Sequence, residues 1–129
     1  MYERRELTVE EIEKLAVEIR EFLLEQGMWQ DVDIYFNHKK FGSKGPDGHY
    51  YYNDREHLFV EEDVEPDTYF EYVNPNHILS MSFEGPVCEM LYYGEYPNTK
   101  RRFDEIFEKY GLYYEFGHHW NFSCYYIEG

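Results

Sequence analysis

Carboxylates are the chemically active side chains most concentrated in this sequence, and they gather in residues 54–72, which we call the acidic segment. It contains eight Asp and Glu residues and a single base, Arg55. Carboxylates spaced along an extended chain place same-side charges about 7 Å apart. Such a row can imitate the phosphates of a nucleic acid and attract the lysines and arginines that bind them. The alternative is a solvated loop whose charges only keep it exposed.

The charge of the whole chain indicates the class of partner. There are 27 acidic and 12 basic residues, and the formal net charge is −15. This excess disfavours direct binding to nucleic acid or to an anionic membrane, because both require a positive surface. It favours a basic protein partner, whose encounter with the chain would be accelerated by charge attraction.

We therefore predict a small acidic binding protein that acts by contact and occupies the basic site of a nucleic-acid-binding effector. Inhibitors of restriction or CRISPR systems have this surface chemistry, and the comparison is an analogy of surfaces only. Three alternatives remain open at this point. They are an immunity protein that neutralises a basic toxin, a small enzyme, and a domain without a separable activity.

The predicted partner-binding residues come from two places in the sequence. The acidic segment contributes Glu61, Glu62, Asp63, Glu65, Asp67, Tyr69 and Glu71. The polar face of a strand earlier in the chain contributes Asp31, Asp33 and Tyr35. Tyrosine among small polar residues is typical of recognition surfaces, because it supplies contact area at low entropic cost.

Histidines and cysteines give weaker indications of chemistry. An enzyme could use His118 or His119 with His77 and a carboxylate, but adjacent side chains in a strand or turn diverge. No catalytic motif is present, and we predict no metal and no cofactor. Cys88 and Cys124 lie in apolar stretches and are expected to be reduced core residues. No apolar run approaches the length of a membrane span, and we predict a cytoplasmic protein.

Helices are predicted in three places. Thr8 and Glu11 form a capping box that opens the first helix, and Gly27 ends that helix. The last helix opens at Pro97-Asn98, with Asn98 as its cap, and ends at Gly111. Gly85-Pro86 could begin a hairpin turn or a short helix. We favour the helix, because Glu89 would otherwise stand in a paired strand.

Strands are predicted where apolar and polar residues alternate, at residues 31–37, 77–84, 112–116 and 120–127. Residues 38–48 are predicted as a loop with a turn at Pro46-Asp47-Gly48, and residues 49–53 as a returning strand. In the acidic segment, residues 57–60 and 68–73 are candidate strands, and residues 61–67 are their exposed connection.

Together these elements predict one α+β domain covering residues 1–129. It has two layers: an antiparallel sheet with two main helices, and the short third one, packed on one face. The other face is expected to be open. By strand parity its side chains are Asp31, Asp33, Tyr35, Asn37, Ser80, Ser82, Asn121, Ser123 and Tyr125. Each half has a helix, a glycine, a hydrophobic residue and a hairpin, so the acidic segment is interpreted as an insertion between the halves.

Overall fold

The fold is described from a computed structural model, which covers residues 6–66 and 77–127. These residues form one mixed α+β domain with a six-stranded sheet and three helices. The elements are α1 (Val9–Glu25), β1 (Val32–Phe36), β2 (Lys39–Gly42), β3 (Phe59–Glu62), β4 (Ser80–Phe83), α2 (Gly85–Leu91), α3 (Pro97–Lys109), β5 (Leu112–Phe116) and β6 (Asn121–Tyr126). The predicted fold class is confirmed.

The sheet has the strand order β3-β2-β1-β4-β6-β5, and all neighbouring strands are antiparallel. Two hairpins, β1–β2 and β5–β6, lie on either side of β4. The strand β3 extends the first hairpin and so becomes one edge of the sheet. The acidic segment is therefore part of the sheet through β3, rather than an insertion outside it.

The main core lies between the helices and one face of the sheet. Ile34, Met81 and Phe122 project from neighbouring strands and are fully buried. Leu15 of α1 and Phe103 of α3 are buried in the same cluster. Burying a large apolar side chain stabilises a fold by about 1.5–3 kcal/mol, so this layer supplies most of the driving force for folding.

Local sequence signals set the ends of the first helix. The Thr8 Oγ1 accepts a hydrogen bond from the Glu11 N–H at 3.1 Å, and the Glu11 carboxylate accepts one from the Thr8 N–H at 3.1 Å. The predicted capping box is confirmed. At the other end Gly27 has φ +68°, a left-handed conformation that glycine adopts without a steric penalty.

Replacing the cap residue should weaken the fold by a measurable amount. We expect Thr8→Ala to lower the free energy of unfolding by about 1 kcal/mol, because it leaves an N–H of the first helical turn without its acceptor. Urea denaturation measures the change. Thr8→Ser keeps the hydroxyl and serves as the control. An equal loss in both variants would contradict the assigned role of the hydroxyl.

The start of α3 differs from the prediction. The helix begins at Pro97, and its cap is Tyr96, with φ 55° and no side-chain capping bond, instead of Asn98. The physical reason is that proline lacks an N–H and has a φ already suited to the first helical turn. The helix therefore begins two residues earlier than an Asn98 cap requires.

Two predictions between residues 38 and 53 are wrong. The predicted loop contains the strand β2, which pairs with β1 across Asn37 and His38. Both turn residues have positive φ, 47° and 62°, as the tightest hairpin turns require. The expected strand at residues 49–53 is reduced to one isolated bridge between Lys44 and Tyr50. The predicted turn after Gly45 is present.

The remaining predictions are close to the structure. The short helix after Gly85 and the β5–β6 hairpin are confirmed. The strand expected at residues 57–60 lies two residues later, as β3. The strand predicted at residues 68–73 falls outside the described residues. No helix among residues 6–66 and 77–127 combines the length and apolar character that crossing a bilayer requires.

The second face of the sheet is less open than predicted. Four of its residues are buried, namely Tyr35, Ser80, Asn121 and Ser123. Val64, which follows β3, packs on Tyr35, and Trp120 packs against the same pair. Strand parity with Phe122 would place Trp120 on the helix face instead. It precedes the first residue of β6, so strand alternation does not fix its direction.

Candidate functional site

Hydrogen bonds from other parts of the chain fix the beginning of the acidic segment. The Arg20 guanidinium, buried in α1, donates to the carbonyl oxygens of Asp54 and Arg55, each at 3.3 Å. Just before them, the Asn53 side-chain oxygen accepts a hydrogen bond from the Trp29 N–H at 2.9 Å. These contacts tie the segment to the junction of α1 and β1, so its acids are presented from a fixed base.

The acids then follow the edge strand. Glu61 and Glu62 lie on β3, and Asp63 follows with φ 55°, which ends the extended conformation. Glu65 lies beyond that turn, and the side chains of all four are exposed. Within residues 54–66, the described part of the segment, the regular alternation expected of an extended chain therefore applies only to the four residues of β3.

Two of these acids have basic neighbours within the chain. The Glu61 carboxylate lies 3.1 Å from the Lys40 Nζ. Glu65 bonds the His38 ring, and this hydrogen bond and the carboxylate charge raise the pKa of His38. Three further exposed acids of the acidic segment have no basic side chain within ion-pair distance among residues 6–66 and 77–127. We call them the unpaired acids: Glu56, Glu62 and Asp63.

The other predicted partner-binding residues do not form one surface in the part of the chain that the structure describes. Asp67, Tyr69 and Glu71 fall outside the described residues. Asp31 and Asp33 line a cleft of about 300 Å³ on the second face, together with Lys44, Tyr50, Ser82, Glu84 and Trp120. Tyr35 is 2% exposed, so its ring contributes almost no accessible surface. None of the unpaired acids is among the residues that line this cleft.

Hydrogen bonds and burial determine the electrostatics of the cleft. The Tyr52 hydroxyl donates to Asp31 at 2.6 Å, which raises the pKa of Tyr52 to about 12. Burial raises the pKa of Asp33, against the opposing effect of the Lys40 charge. Gly42 is the cross-strand partner of Asp33, and a Cβ on that glycine would lie 2.6 Å from the Asp33 Oδ1. The close approach of the carboxylate therefore requires glycine there.

We expect Asp33→Asn to stabilise the protein at neutral pH by about 1 kcal/mol, because it removes a partly desolvated charge. The folded-state pKa of Asp33 is raised above its ordinary value of 3.8, so the folded protein favours the protonated carboxyl group. The protein is therefore most stable with respect to this group in acid, and it loses that stability as the pH rises through the raised pKa. The gain should therefore disappear near pH 3. Urea denaturation at both pH values measures it.

Asp47 provides a control for that prediction, because its pKa is shifted in the opposite direction. Hydrogen bonds from His49 lower the pKa of Asp47 to about 2. Asp47→Asn should therefore reduce stability at neutral pH, with the loss shrinking as the pH falls toward 2. If Asp33→Asn instead destabilises the protein at neutral pH, the attraction to Lys40 outweighs the cost of burial.

The three histidines considered for catalysis each contact a different partner. His118 stacks on Trp120 with ring centroids 5.1 Å apart, and His119 lies 5.2 Å from the Tyr92 ring. The His77 Nδ1 instead bonds the buried Ser80 Oγ at 3.0 Å. Within the described ranges, no group of three or more His, Cys, Asp or Glu residues is arranged to hold a metal ion.

The two cysteines behave as predicted from their apolar surroundings. Cys88 and Cys124 are free and buried. Burial raises the pKa of both thiols, which favours the unreactive protonated form. The structure therefore places both residues in the core.

A groove of about 580 Å³ beside β3 was not predicted from the sequence. Its lining includes the apolar residues Pro46, Leu58, Phe59 and Val60, and also Lys40 and Glu61. The residues come from β2, from the turn that follows it and from β3. Leu58 and Val60 are 38% and 45% exposed, and such exposed apolar residues next to charged ones are a signal of a binding surface.

Comparisons of the chain with protein-family models, with curated proteins and with solved structures found no match.

Proposed function

We propose that this chain is a small acidic binding protein that acts by contact and occupies the basic, nucleic-acid-binding site of an effector protein. The observation that carries the proposal is the net charge of −15 together with the unpaired acids exposed at the β3 end of the sheet. An acidic surface of this kind attracts the lysines and arginines that otherwise bind phosphate.

Physical arguments support a partner of this class. An exposed carboxylate with an internal basic neighbour, such as Glu61 with Lys40, has part of its charge already compensated. The unpaired acids form no ion pair within the described residues, so an external cation can bind them without displacing an internal one. Charge complementarity of this type raises association rates and excludes acidic partners.

The direct test is capture of the partner from the native host on the immobilised protein. We expect a basic protein that is released when the salt concentration rises from about 0.1 to about 1 M, because screening weakens exposed charge pairs. The same protein should also be displaced at low salt by duplex nucleic acid, since both ligands would occupy one site.

The competition experiment separates the alternatives. A basic partner that nucleic acid does not displace would favour the immunity-protein hypothesis, because its blocked surface would not be a phosphate-binding site. A captured partner that is acidic, or that resists high salt, would overturn the proposal. As a control, the capture is repeated with an immobilised variant in which acids outside the β3 edge are neutralised.

A further inference from the structure

The strand β3 ends the sheet, and its outer edge is its most unusual structural feature. It pairs with β2 on one side, and in the part of the chain that the structure describes no strand pairs with its other side. An open edge presents backbone N–H and C=O groups to any extended chain that can dock against it. Many proteins bind extended peptides by adding a strand in this way.

The inner edge of β3 already indicates what a complementary strand carries. In the register of this pair, Lys39 lies opposite Glu62 and Lys40 lies opposite Glu61. The Lys40–Glu61 ion pair is formed at 3.1 Å. Side chains of a strand project to the two faces of the sheet, so a neighbour on the outer edge meets the same two glutamates.

Charge selects the occupant of the outer edge. A second copy of this chain pairing through its own β3 would place another acidic strand beside Glu61 and Glu62, and like charges across paired strands destabilise a sheet. A basic strand gains attraction from the same residues. The other terminal strand, β5, carries only Glu115 as an acid, so it is a weaker site for a basic segment.

The groove beside β3 supplies the second requirement of strand addition, a pocket for alternate side chains. Glu61 and Phe59 line it on the same face of the sheet as Lys40, while Pro46 and the exposed Leu58 add apolar surface. An added strand would direct every second side chain toward this groove. The groove is therefore suited to an apolar side chain, and Lys40 and Lys44, which both line it, disfavour a base there.

Resting on the proposed function, we infer that the basic partner docks by adding an extended segment to the outer edge of β3, with apolar side chains in the groove alternating with Lys or Arg. The backbone hydrogen bonds hold the segment, and Glu62 and Asp63 bind its basic side chains.

The test uses a synthetic peptide of about ten residues in which Arg and Val alternate, and two versions of it. One version is N-methylated on every Arg and the other on every Val. An added strand turns alternate N–H groups toward its neighbour, so only one methylated version loses its hydrogen bonds to β3. We expect that version to bind at least tenfold more weakly, while the other stays within about twofold of the parent. Isothermal titration calorimetry measures all three.

Matched variants locate the site. Glu62→Lys should weaken the parent peptide at least tenfold, whereas Glu115→Lys, the same change on the other terminal strand, should alter its affinity less than twofold. Equal binding of the two methylated peptides overturns the strand-addition inference, and so does a failure of the parent peptide to bind. A dimer that sedimentation detects and that excludes the peptide overturns it as well, in favour of a second copy as the occupant.

Failure of this inference can be distinguished from failure of the proposed function. A salt-released partner that nucleic acid displaces would still support a contact inhibitor whose acids bind without strand addition. If instead the captured partner fails those criteria, the proposed function is lost, even where the peptide binds β3.

Discussion

Neutralising the unpaired acids is expected to weaken binding of the basic partner by about 10- to 100-fold. The variant combines Glu56→Gln, Glu62→Gln and Asp63→Asn. A loss of this size corresponds to about 1.4–2.8 kcal/mol, a modest contribution from each of three exposed charges. Asn tolerates the left-handed backbone of Asp63, so the turn after β3 should persist. Surface plasmon resonance at two salt concentrations measures the change.

The choice of these three acids follows from the ion pairs. Neutralising Glu61 or Glu65 would break the ion pair with Lys40 or His38, and a change in binding would then have two explanations. The unpaired acids avoid this ambiguity. Most of the loss should appear in the association rate at low salt and should diminish at high salt, because exposed charges act chiefly by steering.

A matched control removes the same charge from the helices. Glu25→Gln, Glu105→Gln and Glu108→Gln change three exposed acids of α1 and α3 for which no ion pair is found among the described residues. This variant has the same net charge as the first. If both variants weaken binding equally, total charge matters and the β3 edge is not the contact surface.

The parts of the fold that were predictable depend on neighbouring residues. The capping box of α1 joins Thr8 to Glu11 within a single turn of helix. The alternation that predicts β1 and β4 also lies within a few residues. In each of these cases the residues that cause the structure lie within a few positions of one another, so a local sequence pattern is enough to predict the element.

The parts that were missed depend on partners distant in sequence. Lys39 and Lys40 are typical of a loop when considered alone, and they become strand residues because Glu61 and Glu62 lie opposite them. The β1–β2 turn was also missed, because Asn37 is followed by His38 and not by the glycine that usually completes a two-residue hairpin turn. Of its two residues only Asn37 carries the usual turn signal.

The candidate site illustrates the same limit. The sequence identifies the acidic segment by composition, but it does not separate the acids that have internal partners from those that do not. That distinction requires the register of β2 against β3. The groove likewise requires three separate stretches of chain to meet, and Tyr35 was expected on an open face that Val64 partly covers.

The largest stability effect is expected at the centre of the aromatic core. Phe122 is fully buried, and its ring lies 4.4 Å from the Tyr114 ring, 5.5 Å from Phe83 and 5.7 Å from Phe107, measured between centroids. We expect Phe122→Ala to lower the free energy of unfolding by about 3–5 kcal/mol, because the surrounding rings cannot close the resulting cavity. Urea denaturation gives the value.

Phe116 is the natural control, because it is the cross-strand partner of Phe122 in the β5–β6 hairpin and is 44% exposed. Phe116→Ala removes the same atoms from a partly solvated position, and we expect a loss of about 1 kcal/mol. A two-state domain of this size has a stability of about 5–15 kcal/mol, so the Phe122 variant should stay folded only in mild conditions. Equal losses in the two variants would mean that the β6 face toward α3 is not the packed centre of the fold.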